Sequence, residues 1–217
     1  MNNPLSNVND AYTDALTGAK TRAVFDRALD AFYQNFQQGD AFSLAVVDID
    51  YLKRVNDSFG HARGDQTIKA AADCILPVLH AGEVLVRYGG DEFVILLARP
   101  LEAANDCLQT VLRRANMRVL EGSPPLQLSL SIGLASAAEV AGLDNLGSVR
   151  DVAAEPEALP AALFELADFR ALRAKRMGRN RIVTIGDIGE DLETSFSDEL
   201  RLIERDTVLA GAGEFFI

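Results

Sequence analysis

Cysteine is nearly absent: the 217 residues carry two, Cys74 and Cys107. Both fall in stretches with helical apolar spacing. They read as reduced core residues, which argues against a disulfide framework or a metal pair. Positive charge is also short, with 21 Lys and Arg against 32 Asp and Glu and a formal net charge of -11. No basic stripe stands out, so nucleic acid is not expected as a bulk partner. An acidic chain can still take an anionic nucleotide, provided a metal and a few placed cations do the local work. The opening Met1-Asn2-Asn3-Pro4-Leu5-Ser6-Asn7 has no basic region followed by an apolar run, so it does not read as a signal peptide. Long apolar runs are missing too; stretches such as 44–47 and 94–98 are too short to span a bilayer. A cytoplasmic protein without a membrane segment is the resulting expectation. No internal repeat is visible.

What is present is a hydrophobic content of 48%, enough for one ordinary core with appendages. The chain is organised around residues 84–97. Two apolar runs flank Gly89-Gly90-Asp91-Glu92. Paired glycines between β-rich runs read as a hairpin turn using positive φ. Strands apolar at nearly every position are covered on both faces.

Around that hairpin the chain reads in order. Residues 1–13 form a loose polar lead-in. A helix opens at Thr21 with Val24, Phe25, Leu29, Phe32 and Phe36 on one face, ending at Gly39. Residues 43–50 form an apolar strand running into Asp48 and Asp50, followed by a short helical segment over 51–56. A glycine-punctuated loop over 59–65 comes next, with Asp65 placed to cap a helix from Gln66. A helix from Pro100 to about Leu120 buries Leu108, Val111 and Met117. Residues 126–133 alternate apolar and polar, predicting a strand with one face more open. Residues 137–160 read as a surface insertion with room for one helical turn. Helix resumes from Pro160 to about Met177, and a last strand covers 182–185. From residue 186 the chain is an acidic C-terminal extension.

This order predicts an α/β (α+β) sandwich of ferredoxin-like or polymerase-palm type, with a mixed, mostly antiparallel sheet flanked by helices. The domain itself is expected over 14–185. If the first long strand and the hairpin are neighbours, Asp48, Asp91 and Glu92 converge. Like charges about 4 Å apart repel by roughly 4 kcal/mol at an effective dielectric near 20. Such a knot is tolerable when a cation neutralises it, and oxygen-only donors point to Mg²⁺ or Mn²⁺. Two such ions would activate a hydroxyl and hold a leaving pyrophosphate. Lys53, Lys175 and Arg179 are the cations available to grip a triphosphate. Asn56 and Asp65 supply an amide and a carboxylate suited to a guanine edge. Each has a plainer alternative. Lys53 can be a solvated helix charge and Asp65 a cap. Lys175 and Arg179 can complement a helix C-terminus, and His61 can make a loop hydrogen bond.

The run from Asp48 to Asp65, then Arg87-Tyr88-Gly89-Gly90-Asp91-Glu92-Phe93, then Ala174-Lys175-Arg176-Met177-Gly178-Arg179-Asn180-Arg181, resembles the GGDEF family of diguanylate cyclases. Asp14-Ala15-Leu16-Thr17-Gly18 is similar to that family's opening motif, and Ser131-Ile132-Gly133 to a later strand. The resemblance implies a two-metal condensation of two GTP into the second messenger cyclic di-GMP, at a site formed between two facing domains of a homodimer. It implies Asp48, the Ile49 carbonyl, Asp91 and Glu92 at two Mg²⁺ or Mn²⁺ ions per site. Asp91, Glu92 and Lys53 would be the catalytic groups. Leu52, Lys53, Asn56, His61, Asp65, Gly89, Gly90, Lys175 and Arg179 would contact GTP. The alternative is a catalytically silent module that binds GTP or a partner protein.

The resemblance has gaps. The family's product-inhibition site is an Arg-x-x-Asp shortly before the hairpin, and here that stretch is His80-Ala81-Gly82-Glu83. A neutral histidine lacks the bidentate grip of a guanidinium, so weak or absent inhibition is expected. Thr21, Ala23, Arg170 and Leu172 also depart from the usual residues. No sensory domain is expected ahead of the cyclase-like region from residues 1–13. A regulatory protein partner, the insertion or the acidic tail is expected to bring two copies together.

Overall fold

Two apolar faces on every central strand set the architecture. The computed structural model describes residues 12–141 and 159–187. Its main sheet has six strands: β1 (Lys20–Thr21), β2 (Ser43–Ile49), β3 (Val84–Arg87), β4 (Glu92–Leu97), β7 (Leu130–Ser136) and β8 (Arg181–Val183). Their spatial order is β1-β3-β4-β2-β7-β8. The β3–β4, β4–β2 and β2–β7 pairs are antiparallel, while β1–β3 and β7–β8 are parallel. A separate ribbon joins β5 (Val119–Leu120) to β6 (Leu126–Gln127).

Successive side chains of a strand point to opposite faces, so each central strand feeds two cores. Ala45, Val47, Ile49, Phe93, Ile95 and Leu97 pack toward the face where Ile68, Ala71 and Ile75 of α3 (His61–Ile75) and Leu108 and Val111 of α4 (Leu101–Met117) lie. Leu44, Val46, Val94 and Leu96 pack against Phe25, Leu29 and Phe32 of α1 (Phe25–Gln37) and Leu163, Leu166 and Ala167 of α6 (Leu159–Arg176). Helices therefore cover both faces of a mixed, mostly antiparallel sheet, as the element order predicts. Among the described residues no helix is long and apolar enough to cross a membrane.

Several boundaries differ from the sequence reading. α2 runs over Leu52–Phe59 and α3 already begins at His61, after Gly60 at φ 82. The expected loop at 59–65 is mostly helix. Asp65 lies inside α3 and caps nothing, because Gly60 alone makes the break that the glycine-rich composition suggested over seven residues. α4 stops at Met117, whose side chain is 84% exposed instead of buried; the next residues turn into β5. The expected strand over 126–133 is split between β6 and β7. All of β7 is buried, so its alternation does not mark an open face. α6 is the cover, and it comes so close at Gly133 that a Cβ there would lie 2.0 Å from the Ala167 carbonyl oxygen. The single helical turn allowed in the insertion is α5 (Ala137–Val140), closed by a Ser136/Glu139 capping box. Residues 1–11, residues 142–158 of the insertion and the acidic extension from 188 onward lie outside the described residues, and the insertion's last two residues already belong to α6.

Candidate active site

Strand register brings the acids together. Asp48, near the end of β2, pairs across the ladder with Glu92, the first residue of β4. The Ile49 amide donates to the Asp91 carbonyl at 3.0 Å. Asp48, Asp91 and Glu92 thus share one sheet edge. The turn that delivers them is held from inside the protein: Tyr88 and Gly89 amides both donate to the Glu92 carbonyl, at 2.9 and 3.2 Å. The Tyr88 ring packs against Phe25 and Phe164, with centroids 5.1 Å away in each case. Gly89 and Gly90 are not among the positive-φ glycines, which corrects the reason expected for them. A Cβ on Gly90 would meet nothing within 4 Å. The protein's own packing does not require glycine there, and bare backbone at that point leaves room for something outside it.

Burial and neighbouring acids raise the pKa values of Asp48 and Glu92. Burial pushes Asp48 above the usual carboxylate range, and Asp91 and Asp50 add to this while Lys175 opposes it. Glu92 is raised by burial, then by Asp168, Asp48 and Asp91. Lys175 Nζ donates to Asp48 Oδ2 at 2.5 Å, so an ammonium already sits among these oxygens.

Asp50 does a different job from Asp48. It is buried and accepts from Ser129 Oγ at 2.5 Å, Ser131 Oγ at 2.7 Å and the Asn180 amide at 3.2 Å. Arg179 Nε lies 3.9 Å from its other oxygen. Asp50 therefore pins the turn carrying Arg179 beside the acid edge, held by Ser131 of β7 and by Ser129 just before that strand.

The expected base-reading residues lie on α2 and α3. Asn56 folds back onto Gly64, where a Cβ would lie 1.9 Å from its Oδ1. Gly64 immediately precedes Asp65, so the amide and carboxylate belong to one helix pair. Lys53, His61 and Asp65 are exposed. Leu52 is 5% exposed and packs in the core, so its side chain is not presented to a ligand. Ile49 is likewise buried, leaving only its main chain for a contact.

Two features escaped the sequence reading. Asp168 on α6 heads the charges that raise Glu92, and its own carboxyl is raised by burial. It stands seven residues before Lys175, two turns along the same helix face, a spacing that could have flagged it. Arg87 links the Asp14 turn to the signature turn. Its guanidinium reaches both Asp14 oxygens at 3.2 Å and the Gly90 carbonyl at 3.2 Å. Burial alone would raise Asp14, but bonds from Thr17 and the charge of Arg87 hold it below its ordinary value.

At the departed inhibition motif, Glu83 is already engaged. It receives Arg99 Nε at 2.6 Å and Nη2 at 2.5 Å, and its side chain is 1% exposed.

The donor set suits a hard divalent cation: carboxylates whose repulsion a cation would relieve, beside a main-chain oxygen. Among the described residues, however, no three His, Cys, Asp or Glu side chains are arranged as a ready ligand group. An ion here would draw much of its shell from phosphate oxygens and water.

The family model described as "Diguanylate cyclase, GGDEF domain" matches residues 11–181. The chain is 34% identical over 177 residues to diguanylate cyclase DgcP of Pseudomonas aeruginosa, covering 79% of this chain and 24% of that one. It spans well under half the length of the curated relatives it matches. The GGDEF domain of DgcB from Caulobacter crescentus, solved with c-di-GMP, superposes with a TM-score of 0.68 at 29% identity, covering 81% of this chain and 93% of that one. Diguanylate cyclase SiaD of Pseudomonas aeruginosa, solved with its activator SiaC, gives 0.66 at 26% identity, covering 80% and 61%.

Proposed function

The chain belongs to the GGDEF diguanylate cyclase family, and from that premise we propose that it condenses two GTP molecules into cyclic di-GMP and two pyrophosphates. The observation that carries this reading is the meeting of Asp48, Asp91 and Glu92 at one sheet edge, beside Lys175 and Arg179.

Each of two facing domains holds one GTP. The ribose 3′-hydroxyl of one attacks the α-phosphorus of the other, an O–P bond forms, the bond to the β-phosphate oxygen breaks and pyrophosphate leaves. A second, reciprocal attack closes the ring. Asp48, the Ile49 carbonyl, Asp91 and Glu92 would hold two Mg²⁺ or Mn²⁺ ions, which when bound lower the hydroxyl's pKa and balance the leaving group's charge. Glu92, its affinity for protons raised by burial and neighbouring acids, is suited to take the hydroxyl proton. Lys53, Lys175 and Arg179 steady the phosphates, Lys53 with the charge that builds in the transition state. Asn56 and Asp65 read guanine, with His61 beside them. The open backbone at Gly90 lets phosphate approach.

Three further parts belong to the proposal. The enzyme works as a homodimer in the cytoplasm. A protein partner regulates it, a reading supported by the SiaD–SiaC pair. Product inhibition at the usual site is weak or absent, because Glu83 is committed to Arg99 and His80 cannot fork onto phosphate.

The test is incubation of the purified chain at high concentration with GTP and Mg²⁺ or Mn²⁺, followed by chromatography and mass analysis. Cyclic di-GMP and pyrophosphate in a 1:2 ratio is the expected result. A silent, ligand-binding module is the second reading, and Lys175 engaging Asp48 favours it; GTP binding without product would select it.

A further inference from the structure

Among the described residues, the non-glycine residues with positive φ are Tyr51 (φ 61), Arg179 (φ 65) and Asn180 (φ 50). All three surround one carboxylate. Tyr51 follows Asp50 in the chain, the Asn180 amide donates to Asp50 at 3.2 Å, and Arg179 Nε lies 3.9 Å from it. Strain of this kind persists where the surroundings over-determine it, and it collects at ligand clamps.

Tyr51 is the least expected of the three. Left-handed backbone suits Gly, Asn or Asp, and a bulky ring there is an outlier. The strain brings the ring no burial, since Tyr51 is 54% exposed and packs in neither core. What the conformation does is turn the chain sharply from β2 into α2 and lay the ring against Arg179, whose Cζ is 4.7 Å from its centroid. That distance is within cation–π range.

We propose that Tyr51 is a positioning residue: its ring pre-orients the Arg179 guanidinium to grip the phosphate tail of a nucleoside triphosphate. The identity of the nucleotide rests on the function proposed above; the clamp itself needs only a polyphosphate. A lone arginine loses rotamer freedom when it closes on an anion. Held between the Asp50 carboxylate and the Tyr51 face, Arg179 has lost much of that freedom beforehand. A guanidinium has five N–H donors, so facing Asp50 through Nε leaves donors for an anion.

The experiment uses the full chain, Mg²⁺ and inorganic tripolyphosphate as the probe, with Kd read by calorimetry, alongside steady-state GTP kinetics. Tyr51→Phe keeps the ring and Tyr51→Leu removes it, while both keep a Cβ in the same strained backbone. Tyr51→Leu should weaken tripolyphosphate about two- to fivefold, the span of an exposed cation–π contact. It should raise KM for GTP by a similar factor with kcat nearly unchanged. Tyr51→Phe should match the wild type. In an Arg179→Ala background, Tyr51→Leu should have no further effect. Equal affinity in all three Tyr51 forms, an equal loss from Tyr51→Leu without Arg179, or a wild type that ignores tripolyphosphate overturns the clamp. A Tyr51→Leu variant that loses affinity only in proportion to a lower melting temperature does so as well. If the clamp behaves as expected and no cyclic dinucleotide forms, the cyclase reading falls and the clamp stands. If cyclic di-GMP forms and Tyr51→Leu is silent, the reverse holds.

Discussion

At the scale of single residues, the acid edge sets function against stability. Burial and the charge of neighbouring acids raise Asp48 and Glu92, and burial raises Asp168. The folded chain therefore keeps protons that the unfolded chain has released. In EDTA, stability should rise as pH falls from neutral through these raised values, and the gain should end below the ordinary 3.8 of Asp and 4.5 of Glu. Asp14, held low, acts in the opposite sense, and its contribution is lost only as pH drops below 3.8. Glu92→Gln should flatten the EDTA profile and raise the neutral-pH melting temperature by a few degrees, given about 2–4 °C per kcal/mol for a chain of this size. The same variant should lose most cyclic dinucleotide synthesis, and Asp91→Ala should lose essentially all of it with the fold intact. Metal binding should follow the opposite pH trend, with Mg²⁺ or Mn²⁺ affinity weakening as the carboxylates protonate. A Glu92→Gln melting curve identical to wild type at every pH would show that the repulsion is not felt.

At the scale of elements, the sheet's contacts with its helices explain which parts of the chain were legible. The strands at 43–49 and 84–97 read correctly because their apolar runs serve two cores at once. The convergence of Asp48 with Glu92 was readable from the motif order and follows from the β2–β4 register. The role of Asp50 was not, because its partners are hydroxyls of Ser129 and Ser131, some 80 residues away in sequence. Those serines gave 126–133 the pattern of a half-solvated strand. Gly133 completes the misdirection, since α6 packs directly on its backbone. Gly133→Ala would put a methyl group 2.0 Å from one backbone atom and 2.2 Å from another. Overpacking against backbone should cost about 3 kcal/mol or more, seen as a drop of order 10 °C in the melting temperature. A shift within 2 °C would mean that α6 can retreat freely. The Glu83–Arg99 pair is a second such seam. Removing Glu83 as Glu83→Ala leaves Arg99, 11% exposed, without its carboxylate. Losing one partner of a buried pair costs about 3–5 kcal/mol, and urea unfolding would report it as a lower midpoint with an unchanged slope.

At the scale of the whole molecule, the proposed reaction needs more than one chain. In that proposal the acid edge, the Asn56–Asp65 helix pair and the Arg179 turn would supply one nucleotide site, drawn from β2, the β3–β4 turn, α2, α3 and the end of α6. Making two phosphodiester bonds between two nucleotides requires a second such site facing the first. Activity per mole of protein should therefore rise with protein concentration, and the initial rate should approach second order in protein below the dimerisation constant. Mixing provides the sharper test. On the proposed mechanism an Asp91→Ala chain loses a metal ligand, yet it still carries Asn56, Asp65, Lys175 and Arg179. Added in excess to a fixed amount of wild type, it should draw active chains into mixed dimers able to make at most one of the two bonds. Cyclic product should fall while total GTP-binding capacity grows, and a linear dinucleotide should accumulate. If specific activity stays constant from micromolar to nanomolar protein and the inactive chain has no effect, each chain acts alone and the facing-domain mechanism is wrong.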